Sequence, residues 1–205
     1  MKTEFYKTPD DFVKLLDKPK GRVRILALDF GTNCGVAVLD IYPGETQDKL
    51  LLYVGQWDLS AGTYDAGPIR FLRLDRFIEL VQPDRIAFEN VKFTPSEDLY
   101  GGKKLNVIMG RVTPSIEFLG GLKVTTACWA ERNQIPAEGY EISQIKKFAT
   151  GSGRASKEAM IAAANEKYGL SLDSSDYKKT GDDNIADAVH VCMLFYENYG
   201  VSICP

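Results

Sequence analysis

Three apolar, strand-length runs follow one another between residues 23 and 57: Val23 to Phe30 (VRILALDF), Gly35 to Ile41 (GVAVLDI) and Leu50 to Trp57 (LLLYVGQW). Gly31-Thr32-Asn33 joins the first pair and a segment holding Pro43-Gly44-Glu45 the second, and both are turn chemistry. Links this short cannot carry a crossover between parallel strands, so the runs are expected to pair as an antiparallel meander.

Beyond Gly67-Pro68 the spacing changes. Ile69, Leu72, Leu74, Phe77, Ile78 and Val81 fall on one side of a helix that Pro83 stops. Arg85 to Val91 reads as a fourth strand, and Lys92 to Lys104 as a long polar loop. Leu105 to Leu119 reads as a helix that Pro114 should kink, and Leu122 to Thr126 as a fifth strand. Helices are expected over 141–149, 155–168 and Asp182 to Tyr196, with a polar loop over 169–181. The predicted order, β-β-β-α-β-α-β-α-α-α, describes an α/β domain over 22–205. Its five-stranded mixed sheet has a three-strand antiparallel meander and two parallel strands, flanked by helices. Residues 1–21, with an amphipathic stretch from Asp10 to Leu16, read as a separate lead-in helix.

A chain of 205 residues can bury a single core of ordinary size. No apolar run reaches membrane-spanning length and MKTEFYKTPDDF is no signal peptide, so a soluble, cytosolic protein is expected. Cys34, Cys128, Cys192 and Cys204 lie far apart, which argues against a zinc site or a disulfide framework. The net charge of −3 hides an asymmetry. Residues 101–157 carry nine basic and four acidic residues, while 158–205 carry three basic and eight acidic. The middle of the chain suits phosphates and its end gathers carboxylates.

Asp29 and Glu89 are lone carboxylates in otherwise apolar strands, a costly placement unless a cation is shared. Asp183 and Asp187 are four residues apart on the last helix and therefore share one face. Structural roles compete with this reading: Asp29 can cap the turn at Gly31, Glu89 can pair with a nearby base, and Asp182 or Asp183 can cap the helix. Together the four acids form an all-oxygen ligand set that suits Mg²⁺ or Mn²⁺. Two such ions would serve phosphodiester hydrolysis.

The chain also resembles a known family. LDFGTNCGVA from Leu28, FENV from Phe88, QIKKFATGSGRASK from Gln144 and DNIADA from Asp183 are similar to the four sequence blocks of RuvC-type Holliday junction resolvases, which have an RNase H-like fold. The resemblance runs from about Ile25 to the last helix. It implies that Asp29, Glu89 and Asp187 are metal ligands and that Lys157 supports the scissile phosphate. In bacterial members the fourth acid usually stands three residues before the last, a place held here by Asn184. Asp183 is the candidate instead, with Asp182 pointing about 100° further around the helix.

On the same resemblance Lys146 contacts DNA, with Lys147 and Arg154 in the same block. The loop after Glu89 would enter the junction centre through Lys92, Phe93, Tyr100, Lys103 and Lys104, with aromatic rings stacking on unpaired bases. Lys92 stands where the family often has an aromatic, and Phe93 follows it. His190 could face the site or simply pack in the helix. The implied protein is a Mg²⁺-dependent endonuclease, with Mn²⁺ as a substitute ion, acting on four-way junctions, forks and flaps as a homodimer. The two-fold substrate calls for two sites. The rivals are a less selective flap or branch nuclease and a non-catalytic nucleic-acid-binding or ATPase-like module.

Overall fold

The computed structural model describes residues 1–6, 21–42, 49–63, 67–90 and 105–199. Its strands are β1 (Lys2–Tyr6), β2 (Val23–Asp29), β3 (Asn33–Tyr42), β4 (Lys49–Asp58), β5 (Arg85–Glu89) and β6 (Ala137–Tyr140). Its helices are α1 (Ile69–Val81), α2 (Leu105–Arg132), α3 (Ile142–Thr150), α4 (Lys157–Tyr168), the single turn α5 (Tyr177–Thr180) and α6 (Asp182–Tyr199). The strands form one sheet in the order β1-β4-β3-β2-β5-β6. The expected meander is β2-β3-β4, and β5 and β6 run parallel to β2.

Because successive strand residues point to opposite faces, the strands divide their apolar residues between two cores. Ile25, Ala27, Ala37, Leu39, Leu52, Val54 and Ala87 pack under α3, α4 and α6. Leu26, Leu28, Val36, Val38, Tyr53, Trp57, Ile86 and Phe88 pack under α1 and α2. The result is a three-layer sandwich in which both faces of the central strands are dry, which is why β2 and β5 read as nearly continuous apolar runs.

Three expectations change. Leu122 to Thr126 is helical, in the middle of α2, and the fifth strand of the expected sheet is the later β6. The β-branched residues of LKVTT suggest a strand, yet Leu122 is buried among the side chains under α1 and α2, and the Thr126 hydroxyl donates to the Leu122 carbonyl at 3.0 Å in helical register. The Trp129 indole reaches Glu79 of α1 at 2.9 Å, which ties α2 to its neighbour helix. Secondly, α2 continues through Pro114 without restarting. Thirdly, Lys2–Tyr6 is no lead-in helix; it adds a sixth strand, parallel to β4 at the sheet edge, with Lys2 opposite Leu51. The stretch Asp10 to Leu16 lies outside the described residues.

Candidate active site

The register of the sheet lines up four positions at one end of the face under α6. Gln56 of β4 is opposite Gly35 of β3, and Gly35 is opposite Asp29 of β2. Leu28 pairs in parallel with Phe88, so Asp29 and Glu89 stand level one step further along. Asp29 has the same parity as Ile25 and Ala27, and Glu89 the same parity as Ala87, so both carboxylates belong to the face that α6 covers.

Helix α6 delivers the other acids. Its first turn lies directly on Gly35, where a Cβ would collide with the Asn184 carbonyl. Only glycine leaves room for this approach. Asp183 and Asp187 face α4, where Lys157 Nζ reaches Asp187 Oδ2 at 2.6 Å and Asp183 Oδ2 at 3.3 Å. Lys157 opens α4 directly after Ser156, whose hydroxyl accepts from the Ala159 amide as the N-cap. Asp182 is turned elsewhere, accepting from the Asp173 amide at 2.6 Å.

Crowded carboxylates in a poorly solvated site resist ionisation together. Burial pushes the Asp29 carboxyl well above its ordinary range; Glu89, Asp187 and Asp183 push it further, against the opposing pull of Lys157. Burial and then Asp187 raise Glu89 to about 7, with Lys157 and Lys146 acting the other way. Burial works to lower the Lys157 ammonium, but Asp187, Asp29 and Asp183 more than compensate, so its pKa is raised and it stays charged.

Among the described residues no three acidic, histidine or cysteine side chains are grouped closely enough to hold a metal ion. The donor chemistry nevertheless fits a hard divalent cation. Asp183 and Asp187 pair with one ammonium, Asp29 and Glu89 lie near enough to feel its charge, and the excess of negative charge is what such an ion would relieve.

Lys146 is half-buried on α3, close enough to act on Glu89, while Lys147 is exposed beside it. Arg154 is exposed in the turn between α3 and α4. Lys92, Phe93, Tyr100, Lys103 and Lys104 lie outside the described residues. His190 does not join the acids: it is fully buried, its Nε2 is 3.0 Å from the Met160 carbonyl, and its ring packs near Tyr168. Burial lowers its pKa.

Sequence reasoning passed over Gln56, whose side-chain amide donates to the Thr180 carbonyl at 2.7 Å just ahead of α6. Asn184, which holds the place where bacterial members usually carry the fourth acid, donates its side-chain amide to the Asn33 carbonyl at 3.0 Å. Neither carried a signal, because an amide at a strand end or helix start is ordinary.

Comparison with known proteins agrees with this geometry. No protein-family model matches the chain. The crossover junction endodeoxyribonuclease RuvC of Salinispora arenicola (strain CNS-205) is 30% identical over 178 residues, covering 84% of this chain and 88% of the relative. The chain belongs to the RuvC family. The RuvC of Parafrankia sp. (strain EAN1pec) is 29% identical over 176 residues, covering 84% and 86% respectively. Two solved Thermus thermophilus RuvC structures share the fold at a TM-score of 0.57. One is 18% identical, covering 87% of this chain and 97% of that one. The other, RuvC in complex with Holliday junction substrate, is 19% identical and covers 87% and 96%. With the family come DNA hydrolysis as the enzyme class and dependence on a divalent metal.

Proposed function

We propose that this chain resolves Holliday junctions as a homodimeric endonuclease, with Asp29, Glu89, Asp183 and Asp187 holding Mg²⁺ ions, two per site, that Mn²⁺ can replace. What supports the reading is that Asp29 and Glu89 stand level on β2 and β5 beside an α6 whose Asp183 and Asp187 pair with Lys157, in a member of the RuvC family. The bound ions would polarise the scissile phosphate and activate the attacking water.

The chain's own residues supply the rest. Asp29 and Glu89, level on neighbouring strands, form a rigid edge for one side of the site. Asp183 and Asp187 close it from the helix. Lys157 pairs with Asp183 and Asp187, and its fixed positive charge would suit a phosphate oxygen beside them. Lys146, Lys147 and Arg154 on the adjoining helix and turn would hold the flanking DNA backbone, and Lys92, Phe93, Tyr100, Lys103 and Lys104 would reach the branch point. Dimerisation follows from the two-fold symmetry of a four-way junction, which needs two cuts.

The test compares cleavage of fixed four-way junctions, three-way junctions, flaps and linear duplex in Mg²⁺ and in Mn²⁺. The expected result is paired, symmetric nicking of the four-way junction, some cutting of three-way junctions and flaps, and poor cutting of duplex. Flap cutting without junction cutting would make the protein a branch nuclease instead, and equal cutting of duplex would contradict structure selectivity.

A further inference from the structure

The acids of α6 repel one another and those of the sheet, and beside the Lys157 pairs and the buried Ile185 and Ala186, two side-chain amides hold the start of this helix against the sheet. The sheet row that carries Asp29 and Glu89 also carries Gln56 and Gly35, and all four lie at the same level. Gln56 Nε2 donates to the Thr180 carbonyl at 2.7 Å. The same side-chain amide fills the space where a Cβ of Gly181 would be, and Gly181 adopts φ +74°, a conformation that suits glycine. Three residues on, Asn184 Nδ2 donates to the Asn33 carbonyl at 3.0 Å, while the Asn184 backbone rests on Gly35. Two amide donors thus attach the junction of α5 and α6 to β4 and the first turn of α6 to the start of β3.

We infer that Gln56 and Asn184 are positioning residues that clamp the start of α6 to the sheet and so set Asp183 and Asp187 on the side of the sheet that carries Asp29. This deepens the proposed function and rests on its ligand assignment. Both amides act as donors to carbonyl oxygens, which a carboxylate cannot do. Asn184 therefore serves by being uncharged, and an acid at this place would lose the bond to Asn33. The clamp places the ligands before metal arrives, so its removal should appear first as weaker metal binding.

The experiment uses the full chain with Gln56→Met, Asn184→Leu and Asn184→Asp, and Asp187→Asn as control. Three quantities are read: the Mg²⁺ concentration at half-maximal junction cleavage, the rise in Tm that Mg²⁺ causes, and hydrogen exchange of the amides from 183 to 187 without metal. The clamp predicts that Gln56→Met, Asn184→Leu and Asn184→Asp each move the Mg²⁺ midpoint upward by about 10–100-fold, the usual effect of removing a group that orients a ligand. The Tm rise should shrink in parallel, exchange should quicken, and the junction KM should stay the same. A lower midpoint in Asn184→Asp would make residue 184 a ligand position and overturn the clamp, as would unchanged exchange in both neutral variants. Asp187→Asn that still cleaves would instead remove the ligand assignment, and the exchange data would then decide the clamp separately. Gln56→Met keeps the length and volume of the side chain, so the test stands even if the Asn184 variants fold poorly.

Discussion

Strand β2 has charge at both of its ends, buried at the first and half-buried at the second, and the two ends treat it oppositely. At the first, Arg24 faces its direct cross-strand partner Asp40 with both groups completely buried. Arg24 Nε donates to Asp40 Oδ1 at 2.8 Å, another guanidinium nitrogen reaches Oδ2 at 3.2 Å, and a third bonds the Val81 carbonyl at 2.7 Å. Arg22 adds an ion pair with Asp40 Oδ2 at 2.6 Å. Every charge there has an opposite charge in good geometry. At the other end Lys157 pairs with Asp183 and Asp187, while burial first and the neighbouring carboxylates second raise the pKa values of Asp29 and Glu89 against its pull. The same sheet can therefore satisfy a buried carboxylate fully, and the excess of carboxylates over cations at the second end is what the proposed metal site would use.

The difference is sharpest for cleavage. Asp29→Asn or Asp187→Asn should lower junction cutting by on the order of 10²–10³-fold or more, since the metal contributes several kcal/mol at the transition state. DNA affinity measured by gel shift should survive. Arg24→Ala should do the reverse. It leaves Asp40 buried without its main partner and should cost about 3–5 kcal/mol of stability by urea unfolding, while the folded fraction cleaves normally. Joint replacement of Arg24 by Met and Asp40 by Leu should recover most of that stability. If Arg24→Ala abolished cleavage without lowering stability, the two ends would not be independent.

A smaller effect concerns pH. A carboxyl raised to about 7 in the folded chain binds its proton more tightly than in the unfolded chain. Its contribution to stability is complete below the unfolded value of about 4.5 and is lost as pH rises through about 7. Without metal, Glu89→Gln should therefore have a higher Tm than wild type at pH 8 and lose that advantage near pH 4, by about 2–4 °C per kcal/mol involved. Saturating Mg²⁺ should favour wild type instead. Equal melting curves at both pH values would mean that the carboxylate is already satisfied.

Smaller still, Lys146→Ala with Lys147→Ala should flatten the salt dependence of DNA binding by roughly one unit of log–log slope for each phosphate no longer neutralised. An unchanged slope would place the DNA backbone elsewhere.

The amino-acid order shows some of these features better than others. β2 to β5 and the helices α1, α3, α4 and α6 stand out because both central strands are buried on two faces and the helices repeat at helical spacing. The acids of the site stand out for the same reason, since a lone carboxylate in an apolar strand is conspicuous. β6, with the sequence AEGY, has no apolar run to mark it and takes its place only by pairing with β5. The Arg24–Asp40 pair is silent in sequence because its meaning comes from register across sixteen residues. Gln56 is silent likewise: its importance depends on the level at which β4 meets β3.

The measurement that tests the paired-ion site most directly is isothermal titration of Mn²⁺ into the full-length chain and into Asp29→Asn and Glu89→Gln. Saturable binding of about two ions per chain is expected in the wild type, as a paired-ion phosphodiesterase site requires, with at least one equivalent missing in each variant. Binding of the same stoichiometry and affinity in all three proteins would contradict it.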